Sequence, residues 1–504
     1  MTGLYSHEMI FPPLQSPPRD EGPVYQHLAE QIRSRIRAGE LGDGERLPPI
    51  RSLAQRLKLN RDTVALAYET LAGEGLVDAV VGRGTFVRKQ RPGPAVSSPA
   101  QLSMAAPVER LLRLEGGRPR FSNGEGVVGL HTLVPDPSFY PVDAFRRALN
   151  RALEKAGPDL FLYGSPQGHP GLRAALAERF RRAGLDLADD QIVLCHGASQ
   201  GISLAIRLFA EAGESVAVEM PTYHHVMGVL TGLGLHPAPV SMTEHGPDLD
   251  QLERVLARPE VKAFYTIPSF HNPMGTTTSL ARRREVLALA EHYQKPVLED
   301  AFEMDLRYAG RPIPSLAALD RAGLVVHLFS FSKALFPGVR VGSIAARGRV
   351  VEGLLALKRA ADLSDSPPMQ AALAEFVQNG SYDRHLSRMR QVLRSRRDTL
   401  LDALSQAMPP GTTWTRPEGG YQIWLELPFE VDTRDLLADA GRAGVQFAPG
   451  SQFFHDGRSS RCMRLTVAQA DEEEIRRGVA ALGRLVRERL EADPGARLAA
   501  SVHV

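Results

Sequence analysis

Ser330-Phe331-Ser332-Lys333-Ala334-Leu335-Phe336-Pro337-Gly338-Val339-Arg340-Val341-Gly342 directly follows the apolar run Val325–Phe329. A short apolar run with branched residues reads as a buried strand, which places the hydroxyls, the lysine and the arginine on the loop that leaves it. A lysine amine can form an imine with an aldehyde, while serine hydroxyls and a guanidinium can hold a phosphate. Pyridoxal 5′-phosphate (PLP) needs that combination. Lys333 is the candidate Schiff-base lysine, with Ser330, Ser332 and Arg340 in the phosphate cup.

Outward from this stretch, Gln191–Leu194, Ser215–Glu219, Ala263–Ile267 and Pro296–Glu299 also read as strands, with amphipathic helical segments between them. Such alternation predicts an α/β domain with a largely parallel sheet. From about residue 370 the pattern changes. A helical stretch, Tyr382–Ala407, precedes two strand-like runs, Tyr421–Leu427 and Cys462–Val467, which predicts a smaller C-terminal α/β lobe.

Each strand is followed by residues that suit the same cofactor. His196-Gly197-Ala198-Ser199-Gln200-Gly201 leads into a helix over Ile202–Phe209. Backbone N–H groups at a helix start, with small residues allowing close approach, make an anion site from Gly197, Ala198, Ser199 and Gln200. Alone, such a turn is often only a turn. Tyr223, after the next run, can stack on the pyridine ring, although an isolated tyrosine here would read as core. Asn272 can donate to the cofactor's O3′. Asp300 closes another strand, where a carboxylate keeps the pyridine nitrogen protonated. The order of these groups across the whole domain carries the reading.

The N-terminal part has a different character. Val24, Leu28, Ile32 and Ile36 form a period-four helical stripe. Pro48-Pro49 opens a second segment with Leu53, Ala54 and Leu57 as its buried face. Asn60 is the N-cap of a third helix in which Val64, Leu66, Ala67, Tyr68 and Leu71 are apolar. Two short helices around a tight turn make a helix-turn-helix. Leu76–Val81 and Gly84–Val87 then read as the strands of a wing with Gly82-Arg83-Gly84 at its tip. Arg46 through Arg61 contains Arg46, Arg51, Arg56, Lys58 and Arg61 without an acidic residue, the local charge that a phosphate backbone requires.

A chain of 504 residues is too long for a single core. Its net charge of +2 carries no information on nucleic acid, so any DNA-binding charge must be local. Two cysteines, Cys195 and Cys462, exclude a disulfide framework. Residues 1–22 contain no apolar segment of the signal-peptide kind, and no apolar run reaches membrane-spanning length, so a cytoplasmic protein without membrane partners is expected. The boundaries read as 21–90 for the DNA-binding module, 91–120 for a Pro/Gly/Ser/Ala-rich linker with one helical turn near Val108–Leu114, and 121–490 for the PLP domain, with a frayed tail from Asp493.

The segment GELGDGERLPPIRSLAQRLKLNRDTVALAYETLAGEGLVDAVVGRGTFV resembles the winged helix-turn-helix of GntR-type regulators. The resemblance implies that Arg46, Arg51, Arg61, Thr63, Arg83, Gly84 and Thr85 face DNA, with Arg61–Thr63 opening the recognition helix. Pro49 stands where that family usually has serine. Roughly 120–490 resembles fold-type I PLP enzymes of the aspartate aminotransferase superfamily. This implies that Tyr163 reaches the phosphate of a neighbouring subunit in a homodimer, and that Arg464, in Cys462-Met463-Arg464-Leu465-Thr466, grips a ligand carboxylate. Phe302 stands where the family has a tyrosine that hydrogen-bonds O3′. The fusion of the two modules is similar to MocR/GabR-type regulators.

The reading that follows is a PLP-dependent DNA-binding regulator that senses a small amino compound by exchange at Lys333 and binds a DNA operator. An alternative is a working aminotransferase, on 2-aminoadipate or aromatic amino acids, with an accessory DNA module. A third is a regulator that responds to PLP itself. His224, His225 and His271 are accounted for by the PLP motifs, and no metal is assigned.

Overall fold

The computed structural model describes residues 23–80, 82–88, 102–119, 121 and 126–492. The expectations for residues 1–22, Val81, linker residues 91–101 and the tail from residue 493 lie outside these. The chain divides into two units between Ser103 and Met104.

In the first unit the helix Val24–Arg37 buries Leu28, Ala29, Ile32 and Ile36. The helix Ile50–Leu57 starts after Pro48-Pro49 and buries Leu53, Ala54 and Leu57. The Asn60 side chain accepts the Asp62 N–H at 3.2 Å, so it satisfies one of the free donors at the start of the helix Arg61–Gly73. Strands β1 (Val77–Val80) and β2 (Gly84–Val87) pair antiparallel and form the wing. The Tyr68 hydroxyl donates to the Pro48 carbonyl at 2.9 Å and ties the third helix to the start of the second. The third helix buries Val64, Ala67, Tyr68 and Leu71, and Leu66 lies on its outer side at 42% exposed.

The second unit begins inside the expected linker. Ala106–Gly116 is an eleven-residue helix rather than a single turn, with Pro107 in its first turn. It packs on the helix His224–Leu233, where Gly232 leaves room for Leu111: a Cβ at Gly232 would stand 3.2 Å from Leu111 Cδ1. A two-residue strand, β3 (Val128–Gly129), comes next. The main sheet then takes β4 (Ile192–Cys195), β5 (Ser215–Met220), β6 (His236–Thr243), β7 (Gly246–Pro247), β8 (Val261–Thr266), β9 (Val297–Asp300), β10 (Val325–Ser330) and β11 (Gly342–Ala345). Its order is β4-β11-β10-β9-β8-β5-β6-β7. The five neighbours from β10 to β6 run parallel, while β11 and β7 are antiparallel to the strands beside them. The inner strands β5, β9 and β10, and β4 at the edge, are buried along their whole length, as a sheet with both faces covered demands.

The smaller lobe has a sheet of β12 (Thr413–Trp414), β13 (Gln422–Glu426), β15 (Ala448–Pro449) and β16 (Cys462–Thr466), in the order β12-β13-β16-β15. The helices Ser381–Ala407 and Glu472–Ala492 pack together beside it. This lobe is not purely C-terminal. β3 pairs in parallel with β14 (Val445–Gln446), and the Thr466 N–H donates to the Leu130 carbonyl at 2.9 Å. The chain therefore enters the lobe, leaves to build the main sheet, and returns. No helix among the described residues is long and apolar enough to cross a membrane.

Candidate functional site

The motif-bearing loops gather at one edge of the main sheet, outside the carboxyl ends of its parallel strands, where ligands of open α/β sheets bind. The antiparallel β11 makes this possible. Gly342 lies opposite both Ser330 of β10 and Cys195 of β4, so the loops carrying Lys333, Arg340 and Gly197 leave the sheet side by side. A Cβ at Gly342 would stand 2.7 Å from the Phe329 carbonyl oxygen and 3.2 Å from the Ala198 nitrogen, so only glycine permits this approach. Gly197 adopts φ +78°, and the helix starts at Ala198, four residues earlier than the sequence reading. The Arg340 guanidinium donates to the His196 carbonyl at 3.0 Å and closes over Gly197. Arg340 itself is held at φ +48°, an uncommon conformation for a residue with a side chain.

Lys333 is half-buried, and its Nζ donates to the Leu133 carbonyl at 3.0 Å. Burial pulls its amine below the ordinary value, Arg464 and Arg340 add to that, and Glu303 opposes it. Asp300 ends β9. Its Oδ2 accepts the Tyr265 hydroxyl at 2.6 Å, while Oδ1 is buried with no hydrogen-bond partner among the described residues. Burial raises this carboxyl from 3.8 to about 6 against the pull of the Tyr265 bond. Arg464 on β16 is buried and is lowered to about 10 by that burial. Its Nη1 donates to Asn272 Oδ1 at 2.9 Å and its Nη2 to the His131 carbonyl at 2.7 Å, while its Nε is without a partner among the described residues. Asn272 keeps its amide N–H groups for another acceptor. The Tyr223 ring is half-buried and nearly parallel to Phe302, with 8° between planes and 6.5 Å between centroids. The gap is too wide for the two rings to touch in a stack.

PLP fits this arrangement. Ser332 Oγ is buried and without a hydrogen-bond partner among the described residues, and can donate to a phosphate oxygen. Asp300 Oδ1 is an unmatched acceptor of the kind that a protonated ring nitrogen requires. Ser330 Oγ accepts the Ser332 N–H at 3.2 Å and shapes the loop. Ala198 and Ser199 supply helix-start N–H groups. The Gln200 side chain has a task of its own. Its Oε1 accepts the His196 N–H at 2.7 Å and its Nε2 donates to Asp362, so the side chain braces the turn. Tyr163 stands away from these groups, 86% exposed, in a run with exposed Phe161 and Leu162.

Sequence reasoning missed several residues here. Tyr265 bonds Asp300, and the Tyr421 hydroxyl donates to the Lys333 carbonyl at 2.5 Å. Glu303 is fully buried. Only its place three residues after Asp300 could have drawn attention to it.

In the first unit, Arg46, Arg51, Arg61 and Arg83 are exposed, and none forms an ion pair among the described residues. Arg51 and Arg61 stand in the first turns of consecutive helices. Arg46 is brought to the wing: it bridges Phe86, lies 5.9 Å from that ring's centre, and approaches Gly84 so closely that a Cβ there would stand 2.8 Å from its Nε. Thr63, Gly84 and Thr85 are half-buried.

Residues 134–482 match the family "Aminotransferase class I and II", and residues 24–87 match "Bacterial regulatory proteins, gntR family". An uncharacterized HTH-type transcriptional regulator of Escherichia coli, YdcR, is 32% identical across 92% of this chain and 99% of its own length. Aromatic-amino-acid aminotransferase 1 of Thermococcus litoralis is 34% identical across 72% of this chain and 89% of its own. The crystal structure of a multiple substrate aminotransferase from Thermococcus profundus superposes with a TM-score of 0.71 at 31% identity, covering 78% of this chain and 98% of that one.

Proposed function

This chain belongs to the aminotransferase class I and II family and carries a gntR-family regulatory domain, the MocR-type combination, and from that premise we propose that it is a PLP-dependent transcription regulator. The observation that carries the proposal is the likeness to an HTH-type regulator over both modules together, 92% of the chain, where the aminotransferase relative covers only the second. Residues 21–90 form the DNA-binding unit in this reading, 91–120 the connection, and 121–490 the sensor, with its small lobe from about 370. Arg51 and Arg61 neutralise phosphates, while Arg46, Arg83, Gly84 and Thr85 bring the wing to the duplex.

In the sensor, Lys333 holds the cofactor. Gly197, Ala198, Ser199, Ser330, Ser332 and Arg340 form its phosphate cup, and Gln200 braces that cup. Tyr223 covers the ring, Asn272 donates to its oxygen, and Asp300 faces its nitrogen. The cofactor, when bound, supplies an aldehyde carbon at which the amine of a ligand can replace that of Lys333. Arg464 takes the ligand's carboxylate, so the effector is an amino compound that carries one. Its Nε has no competing partner among the described residues, and its pairing with Asn272 ties the carboxylate grip to the cofactor's oxygen. Tyr163, exposed beside Phe161 and Leu162, is the residue offered to a second subunit in a homodimer.

The test is a visible-absorbance screen of the purified protein against amino compounds, paired with operator binding. Borohydride should fix the cofactor to Lys333. Lys333→Ala should still bind DNA but lose the effector response. Turnover of amino donors with keto acids at rates ordinary for an enzyme would favour the aminotransferase reading instead.

A further inference from the structure

Glu303 is a charged residue that the cofactor-holding set leaves unused, and its surroundings are unusual. It has no exposed surface. Its Oε1 accepts a long side-chain hydrogen bond, from Gln422 Nε2 at 3.3 Å, and its Oε2 has no partner among the described residues. Oε2 occupies space left by Gly420, where a Cβ would stand 2.3 Å away. The next residue, Tyr421, bonds the Lys333 carbonyl through its hydroxyl. Gln422 lies opposite Thr466 on β16, and Trp424 lies opposite Arg464, so Gln422 and Arg464 project from the same face of the small sheet. Glu303 thus lies against residues 420–422, of which Tyr421 bonds the Lys333 backbone, on the sheet face that carries Arg464.

Burying a carboxyl with so weak a side-chain donor is costly unless a cation repays it. Among the charged groups acting on Lys333, Glu303 acts most strongly and is the one that favours the protonated amine; Arg464 and Arg340 disfavour it. Burial disfavours the charged Glu303, while Lys333 first and then Arg464 pull it back toward the carboxylate, with the Tyr308 and Tyr421 phenols nearby. We propose that Glu303 is a positioning residue that keeps the Lys333 nitrogen protonated when cofactor is bound. The proposal rests on Lys333 being the cofactor lysine. Phe302 works in the same direction, because it offers no hydroxyl to stabilise the deprotonated state through the cofactor's oxygen. A protonated nitrogen makes the carbon attached to it easier for an incoming amine to attack, so the pair suits ligand exchange.

The experiment is a pH titration of the visible band of PLP-loaded full-length protein. Glu303→Gln keeps the shape and the acceptor for Gln422 but removes the negative charge, so the midpoint should fall by about one pH unit or more. Phe302→Tyr should lower it independently. An unchanged midpoint in a Glu303→Gln protein that still carries borohydride-reducible cofactor overturns the proposal and leaves the Lys333 reading intact. Cofactor that cannot be fixed to Lys333 in the wild type overturns both. If Glu303→Gln does not retain PLP, Gln422→Met takes its place: withdrawing the side-chain donor to the carboxylate should lower the midpoint, and no movement there counts equally against the role.

Discussion

Replacing Asp300 with asparagine should push apo-protein stability and cofactor affinity in opposite directions. Asp300 is fully enclosed, has one hydroxyl partner, and holds its proton to about pH 6 rather than 3.8. Between those values the folded chain binds more protons than the unfolded chain, so stability falls as pH rises through that window. A gap of about two pH units corresponds to about 3 kcal/mol, present as a destabilisation above pH 6 and absent below pH 4. The asparagine side chain would keep an acceptor for the Tyr265 hydroxyl but carry no charge. Cofactor-free Asp300→Asn should therefore exceed cofactor-free wild type in stability by a margin that grows to about 3 kcal/mol from pH 4 to pH 7. The same change removes a charge-assisted bond to the ring nitrogen, worth about 1.5–3 kcal/mol, so PLP affinity should drop roughly 10- to 100-fold. Denaturant unfolding at a series of pH values reads the first effect through the chain's two tryptophans, Trp414 and Trp424, both on strands of the sensor unit. Absorbance titration reads the second. A stability margin that is flat with pH, or a variant that binds PLP like the wild type, would refute the assignment of Asp300 as the ring's charge partner.

Three further outcomes are expected. Arg51→Ala and Arg61→Ala should each weaken operator binding and make the dependence of log affinity on log salt shallower by about 0.9, with the PLP absorbance unchanged. Tyr163→Ala, at a position 86% exposed, should lower cofactor affinity only if a second subunit uses it; unchanged PLP binding in a protein that sediments as a dimer would remove it from the site. Leu111→Asp should detach the helix Ala106–Gly116 from the helix His224–Leu233, which starts right after Tyr223. Operator binding and PLP loading should persist while the effector response is lost, as measured by operator affinity with and without effector.

The residues proposed to hold the cofactor could be picked out because they lie at or shortly after strand ends: Asp300 closes β9, Ser332 and Lys333 follow β10, and Asn272 stands on the loop after β8. Asn60 was legible as a cap because its job is local, two residues from the N–H it accepts. What depended on distant partners was not legible. β3 and β14 are two residues each and define one another across some three hundred positions, so no periodicity marks either. The helix Ala106–Gly116 was hidden by linker-like flanks, although Val108 through Leu114 contain mostly good helix formers. That the Gln200 side chain braces its turn shows only once Asp362 is placed beside it. Glu303 reads as a surface acid because nothing near it announces that Gly420 leaves a space for it.

Arg340, held at φ +48° over Gly197, has a consequence for how much of this protein a cell keeps. A left-handed arginine costs about 1–2 kcal/mol, and the Ser332 and Asp300 oxygens, without partners among the described residues, add to that cost in the cofactor-free chain. Cofactor at about a hundred times its dissociation constant would return roughly 2.7 kcal/mol to the folded state. That changes the unfolded fraction open to proteases about a hundredfold. Vitamin supply would then set the copy number of the regulator through its turnover, independently of any effector.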